Sequence, residues 1–210
     1  MQITKSHIDA MSELLKIVEP WIEKRPDDRN SAEPISILAM LAGSFLFRSF
    51  EFKLDNLNPG SVINIHSEFE QSKERELIVI TQSSLELFGL EIDLSTLLLN
   101  NHSINMDEKP NFIDIISKVQ EPALLIMKRY NLTYEQLAQA SAIAATYYIV
   151  QGEKSNIEER FKIAFYFYHI GTRTCPPDFA NNTLNKTLDN QNNKGINSSE
   201  QTLKPWWKLW

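Results

Sequence analysis

Residues 35–50 read ISILAMLAGSFLFRSF, and the fold turns on how this stretch is buried. From Ile35 to Phe47 the only polar side chains are Ser36 and Ser44. A helix that is apolar all round belongs in an interior. Crossing a membrane takes about 20 apolar residues, and Arg48 ends this run after thirteen. The stretch is therefore expected as a central helix, 35–50, with other helices gathered around it. Ser31 is placed to cap it, and Pro34 falls in the first turn, where a missing N–H costs nothing. Ser36, Ala39 and Gly43 share one side of this helix, and Ala138, Ala142 and Ala145 form a second face of small residues. The two faces are expected to pack together. Arg48, at the helix end, has two readings. One is a cation favoured by the helix dipole with its stem on apolar neighbours; the other is a half-buried anchor for a carboxylate or phosphate ligand.

On the N-terminal side, Met11, Leu14, Leu15, Val18 and Ile22 fall at helical spacing and predict an amphipathic helix over about residues 4–24, bent near its end by Pro20. RPDDRN, residues 25–30, reads as a solvated turn. On the other side, Asn58-Pro59-Gly60 is a type II turn signal. The apolar residues flanking it leave room for a small β-hairpin over 52–65 that would have to lean on the helices. Ser67 and Glu70 form a capping box for a helix over 68–88, which Gly89 closes. Its core-facing set is Leu77, Ile80, Ser84 or Leu85, and Phe88. Residues 90–110 fit a strand, a short helix or packed loop equally. Asn111 and Asp114 open the next helix, with Phe112, Ile115, Ile116, Val119, Ala123, Ile126, Met127 and Tyr130 on its apolar face and Pro122 interrupting it. Thr133 with Gln136, and Ser155 with Glu158, form two further capping boxes. They start helices that Gly152 and Gly171 are expected to stop, making a helical hairpin.

Composition agrees with a helical domain. The chain of 210 residues is 42% hydrophobic, with only six glycines and nine prolines. A formal charge of −6 gives no general attraction to nucleic-acid phosphates. The first residues, MQITKSHIDAMSELLK, lack the apolar core of a signal peptide. Cys175 is the sole cysteine, which rules out an intrachain disulfide and fits a reducing compartment. The cytoplasm is the expected location.

Beyond Cys175-Pro176-Pro177 the composition changes. Residues 178–204 are dominated by Asn, Thr, Ser, Gln and Lys, and such a segment buries too little apolar surface to offset the entropy of ordering. It is expected as a flexible polar tether leading to KPWWKLW, residues 204–210, which holds three of the four tryptophans. Trp206, Trp207, Leu209 and Trp210 are the candidate partner-binding residues. Tryptophan suits both protein hot spots and lipid interfaces. Three occupations follow: a groove on the chain's own bundle, a groove on a protein partner or second copy, and weak contact with a membrane surface through Lys204 and Lys208.

Signatures of catalysis are scarce. His7, His66, His102 and His169 fall in separate segments, and none follows Glu at the three-residue spacing of di-iron bundles. There is no H-E-x-x-H, C-x-x-C pair or P-loop, so no metal site or cofactor is indicated. The best ligand-binding candidates are Arg48 and the corner formed by His169, Arg173 and Cys175, although a cysteine at a helix exit is usually inert. The sequence thus describes three regions: an all-helical domain over 1–177, a polar tether over 178–204 and a tryptophan-rich peptide over 205–210. The domain is an all-α bundle of about five to six helices around a buried one. An interaction or adaptor protein is favoured over an enzyme, and a ligand-binding or catalytic bundle using Arg48 or the Cys175 corner is the alternative.

Overall fold

The computed structural model describes residues 3–22, 32–50, 58–63, 68–92, 111–152 and 156–178. Among these residues there are six helices and no strand longer than a single bridge: α1 (Lys5–Ile22), α2 (Glu33–Ser49), α3 (Glu68–Leu87), α4 (Phe112–Arg129), α5 (Tyr134–Val150) and α6 (Ile157–Arg173). The architecture is an all-α bundle organised around α2. Every residue from Pro34 to Phe47 is buried, and α2 touches all five other helices, most extensively α6 and α5. With no solvent face, α2 cannot be stable until its shell has formed, so its burial and the shell's assembly are one event. No helix among the described residues is long and apolar enough to cross a membrane.

The close approach of α2 to the shell occurs at Gly43, but its counterpart is not the alanine face of α5. A Cβ at Gly43 would stand 2.7 Å from Cα of Gly171 and 2.5 Å from the carbonyl oxygen of Tyr168, both on α6. Gly171 in turn lies against Met40, Gly43 and Ser44. It is therefore an interior helical glycine chosen for backbone contact, not the helix stop expected from sequence, and α6 runs on to Arg173. Ala138, Ala142 and Ala145 are fully buried in α5, which does pack on α2.

Helix ends follow local chemistry where both partners are close in sequence. Thr133 and Gln136 form the complete capping box at α5: the Gln136 N–H donates to Thr133 Oγ1, and the Thr133 N–H donates to Gln136 Oε1. Asn111 caps α4 by accepting from the Ile113 N–H. Gly89, with φ of 72°, closes α3 in a Schellman arrangement, in which the Leu90 N–H reaches back to the Leu85 carbonyl and the Gly89 N–H to that of Glu86. Asn131, with φ of 52°, does the same for α4. At α2 the cap position is held by Ala32, without a side-chain bond, one residue after the expected Ser31. Asn156 occupies that position at α6, and Ser155 lies outside the described residues. Pro20 and Pro122 both sit within continuous helices. Phe88, expected in the core, is 58% exposed at the end of α3, because the Schellman turn carries it off the buried face.

The Asn58–Ser61 turn forms as expected. The Ser61 N–H donates to the Asn58 carbonyl, and Gly60 has φ of 81°. Its pairing is not local. Val62 bridges to Thr174 in antiparallel sense, flanked by bonds from Gly60 and Ile63 N–H groups to Cys175 and Arg173 carbonyls and from the Cys175 N–H to the Ser61 carbonyl. The described part of the expected 52–65 hairpin thus pairs with the segment leaving α6. Residues 23–31, with the expected RPDDRN turn and Ser31 cap, 51–57, 64–67, 93–110 and the segment from residue 179 onward lie outside the described residues, and with them His66 and His102.

Candidate functional site

Two polar clusters lie at the C-terminal end of α6. The first is centred on Glu74, a carboxylate of α3 that is only 7% exposed. All its partners come from α6. His169 Nδ1 lies 2.9 Å from Oε1, Thr172 Oγ1 donates to the same oxygen at 3.1 Å, and Arg173 Nη2 is 3.5 Å from Oε2. Burial pushes the Glu74 carboxyl upward, but the His169 hydrogen bond, the His169 and Arg173 charges and the Thr172 hydroxyl together hold it below its ordinary value. An ionised Glu74 can only accept, so the proton of the shared bond sits on His169 Nδ1. The cluster pins α3 to α6 together with one deeper contact, in which the buried Tyr168 hydroxyl lies 2.8 Å from Thr81 Oγ1. Because Thr81 donates to the Leu77 carbonyl, Tyr168 is the donor to Thr81. Burial raises the Tyr168 phenol well above its ordinary value, which keeps it protonated.

The second cluster surrounds Arg48, at the end of α2. Its side chain is 5% exposed. Nη1 and Nη2 form a two-pronged ion pair with the carboxylate of Asp178, and Nη2 also donates to Gln120 Oε1 of α4 at 2.8 Å. Tyr134, at the start of α5, stacks on Phe45 with ring centroids 6.3 Å apart. Burial raises its phenol, with the nearby charge of Arg48 opposing. Arg48 sits at the C-terminus of α2, and the carboxylate on its fork is not a ligand but Asp178 of its own chain, 130 residues away.

The expected corner of His169, Arg173 and Cys175 therefore divides. His169 and Arg173 meet at Glu74, while the charges that act on Cys175 are those of Arg48 and Asp178. Cys175 is buried, and burial raises its thiol above the ordinary value. A raised pKa leaves little thiolate, the form that attacks and binds metals. Among the described residues no group of three or more His, Cys, Asp or Glu side chains is placed to hold a metal ion. A shallow depression at the end of α3, lined by Glu86, Gly89 and Glu91, lies along the chain from both clusters and includes none of their residues. Trp206, Trp207, Leu209 and Trp210 are outside the described residues.

Glu74 and Gln120 were not foreseeable from sequence. Glu74 sits in the charged run KERE, which reads as a solvated face, and Gln120, at the edge of the apolar stripe of α4, carries no sign in sequence of the group it meets. His7 makes a third buried polar contact. The Thr4 N–H donates to its Nδ1 at 3.1 Å, so the ring proton is on Nε2, which reaches Gln139 Oε1 at 3.2 Å and ties α1 to α5. Comparison with protein-family models, with curated proteins and with solved structures gives no significant match.

Proposed function

We propose that this chain is a protein-interaction module whose helical bundle presents the tryptophan-rich segment 205–210 to a protein partner. The observation that carries this reading is the Arg48–Asp178 pair. It holds the chain to the bundle at the residue where the composition turns from mixed to polar, ahead of a segment containing three of the four tryptophans. Large, rigid aromatic side chains with a polar N–H contribute disproportionately to protein interfaces. The reading also draws support from the candidate ligand-binding residues His169 and Arg173, whose charges are engaged within the chain by Glu74. We place the activity in the cytoplasm, where a single buried cysteine is at home.

The test replaces Trp206, Trp207 and Trp210 with alanine in the full chain and measures two properties side by side. The expected result is an unchanged melting temperature and loss of proteins that crosslink to the wild-type chain in cell extract. A lower melting temperature would show the segment to be part of the chain's own fold. Wild-type binding to phosphatidylglycerol vesicles that the triple variant loses would transfer the role to a membrane surface.

A further inference from the structure

We infer that the Arg48 guanidinium is a carboxylate-binding site, built by three helices and filled in cis by Asp178, so that a carboxylate from outside the chain takes the fork when Asp178 leaves it. The receptor and its occupant have different origins. Arg48 comes from α2, Gln120 from α4 and Tyr134 from α5, all packed against the core. Asp178 comes from the segment beyond α6, outside any helix, and its side chain is 35% exposed where that of Arg48 is 5% exposed. The rigid part is thus the receptor, and the solvent-accessible part is the occupant.

The chemistry specifies the ligand. The two terminal nitrogens of Arg48 present parallel N–H donors to the two oxygens of one planar carboxylate. Gln120 accepts on the side of Nη2 and keeps the guanidinium plane from turning. Arg48 Nε is buried and has no hydrogen-bond partner among the described residues, so the group remains one acceptor short even with Asp178 in place. A buried guanidinium cannot shed its charge. Once Asp178 withdraws, the fork is left as a desolvated cation whose strongest available partner is another carboxylate. The inference rests on this geometry alone and stands whether or not the tryptophan-rich segment binds a protein.

The experiment removes the occupant and supplies acetate. In the full chain, Asp178→Ala is expected to lower the melting temperature, and acetate at about ten times its Kd is expected to restore about 3–6 °C in a saturable way. Chloride at matched ionic strength restores less, and the wild type, with its fork occupied, gains no more from acetate than from chloride. Asp178→Ser, whose side chain is too short to fill the fork, serves if the alanine variant does not fold. The inference is overturned if acetate and chloride act alike on both Asp178 variants. It is equally overturned if Arg48→Met/Asp178→Ala responds to acetate as strongly as Asp178→Ala. Recovery with inorganic phosphate but not acetate would overturn the assignment to carboxylates.

Discussion

At Gly43 and Gly171 the bundle tolerates no side chain. A methyl group on either would lie 2.5 Å from a carbonyl oxygen of the facing helix, Tyr168 in one case and Met40 in the other. Backbone atoms cannot swing aside as a side-chain tip can. Gly43→Ala is expected to destabilise by about 1–3 kcal/mol, and Gly43→Leu by more, through forced separation of α2 and α6. Urea unfolding with an unchanged slope would read this directly. The residue scale also sets a pH dependence. The Glu74 carboxyl is held below its ordinary value in the fold, so the unfolded chain binds its proton first as pH falls. Its contribution is complete above pH 4.5, the value of the free group, and is lost as pH drops through the lower folded value. Glu74→Gln should therefore be less stable than wild type at pH 7, and the gap should close toward pH 3; a constant gap would deny Glu74 this role. The small size of Gly43 was legible in sequence, as was the place of Arg48 at the end of α2. Their counterparts were not, because Gly171 and Asp178 lie more than a hundred residues away and carry no periodic signal.

Among the elements, the caps separate local from tertiary chemistry. Thr133 and Gln136 satisfy each other within three residues, so the start of α5 was legible without coordinates. Thr133→Ala is expected to cost about 1 kcal/mol of stability, measurable by urea unfolding. The other end of α5 is closed from a distance. Arg160, 5% exposed, crosses over Gly152 and donates through Nη1 to the Tyr148 carbonyl at 3.0 Å. This places a cation on the negative end of the helix and explains the small residue there. Arg160→Met should lower stability by about 1.5–3 kcal/mol, the range for hydrogen bonds to charged groups, while far-ultraviolet circular dichroism keeps its helical signal. Gly152 stands where a stopping glycine was expected, just past the Gln151 cap, but without the positive φ of Gly89; a Cβ there would strike the Arg160 guanidinium. The same limit applies to Val62, whose turn was legible from Asn58-Pro59-Gly60 while its partner Thr174 was not. Helix periodicity and caps are written in neighbouring residues. Which helix meets which is decided by packing on α2.

For the molecule as a whole, the described residues amount to a buried helix, a shell of five, and a segment beyond α6 secured at two places: the bridge at Thr174 and the ion pair at Asp178. The ion pair is asymmetric, and its variants should be too. Removing Asp178 strands a cation in the interior, expected to cost about 3 kcal/mol, whereas Arg48→Met leaves only a partly exposed carboxylate and should cost less. Equal losses would mean that both charges are already hydrated. These two contacts secure the last of the described residues, and the proposed function requires that the residues after Asp178 add nothing to the bundle. Thermal unfolding of a chain ending at Ala180, compared with the full chain, tests that claim most directly. The account predicts melting temperatures within about 2 °C of each other, because the proposed function assigns the residues after Ala180 to a partner and not to the core. A fall of about 5 °C or more would show that the tryptophan-rich segment belongs to the fold, and would contradict its role in reaching a partner.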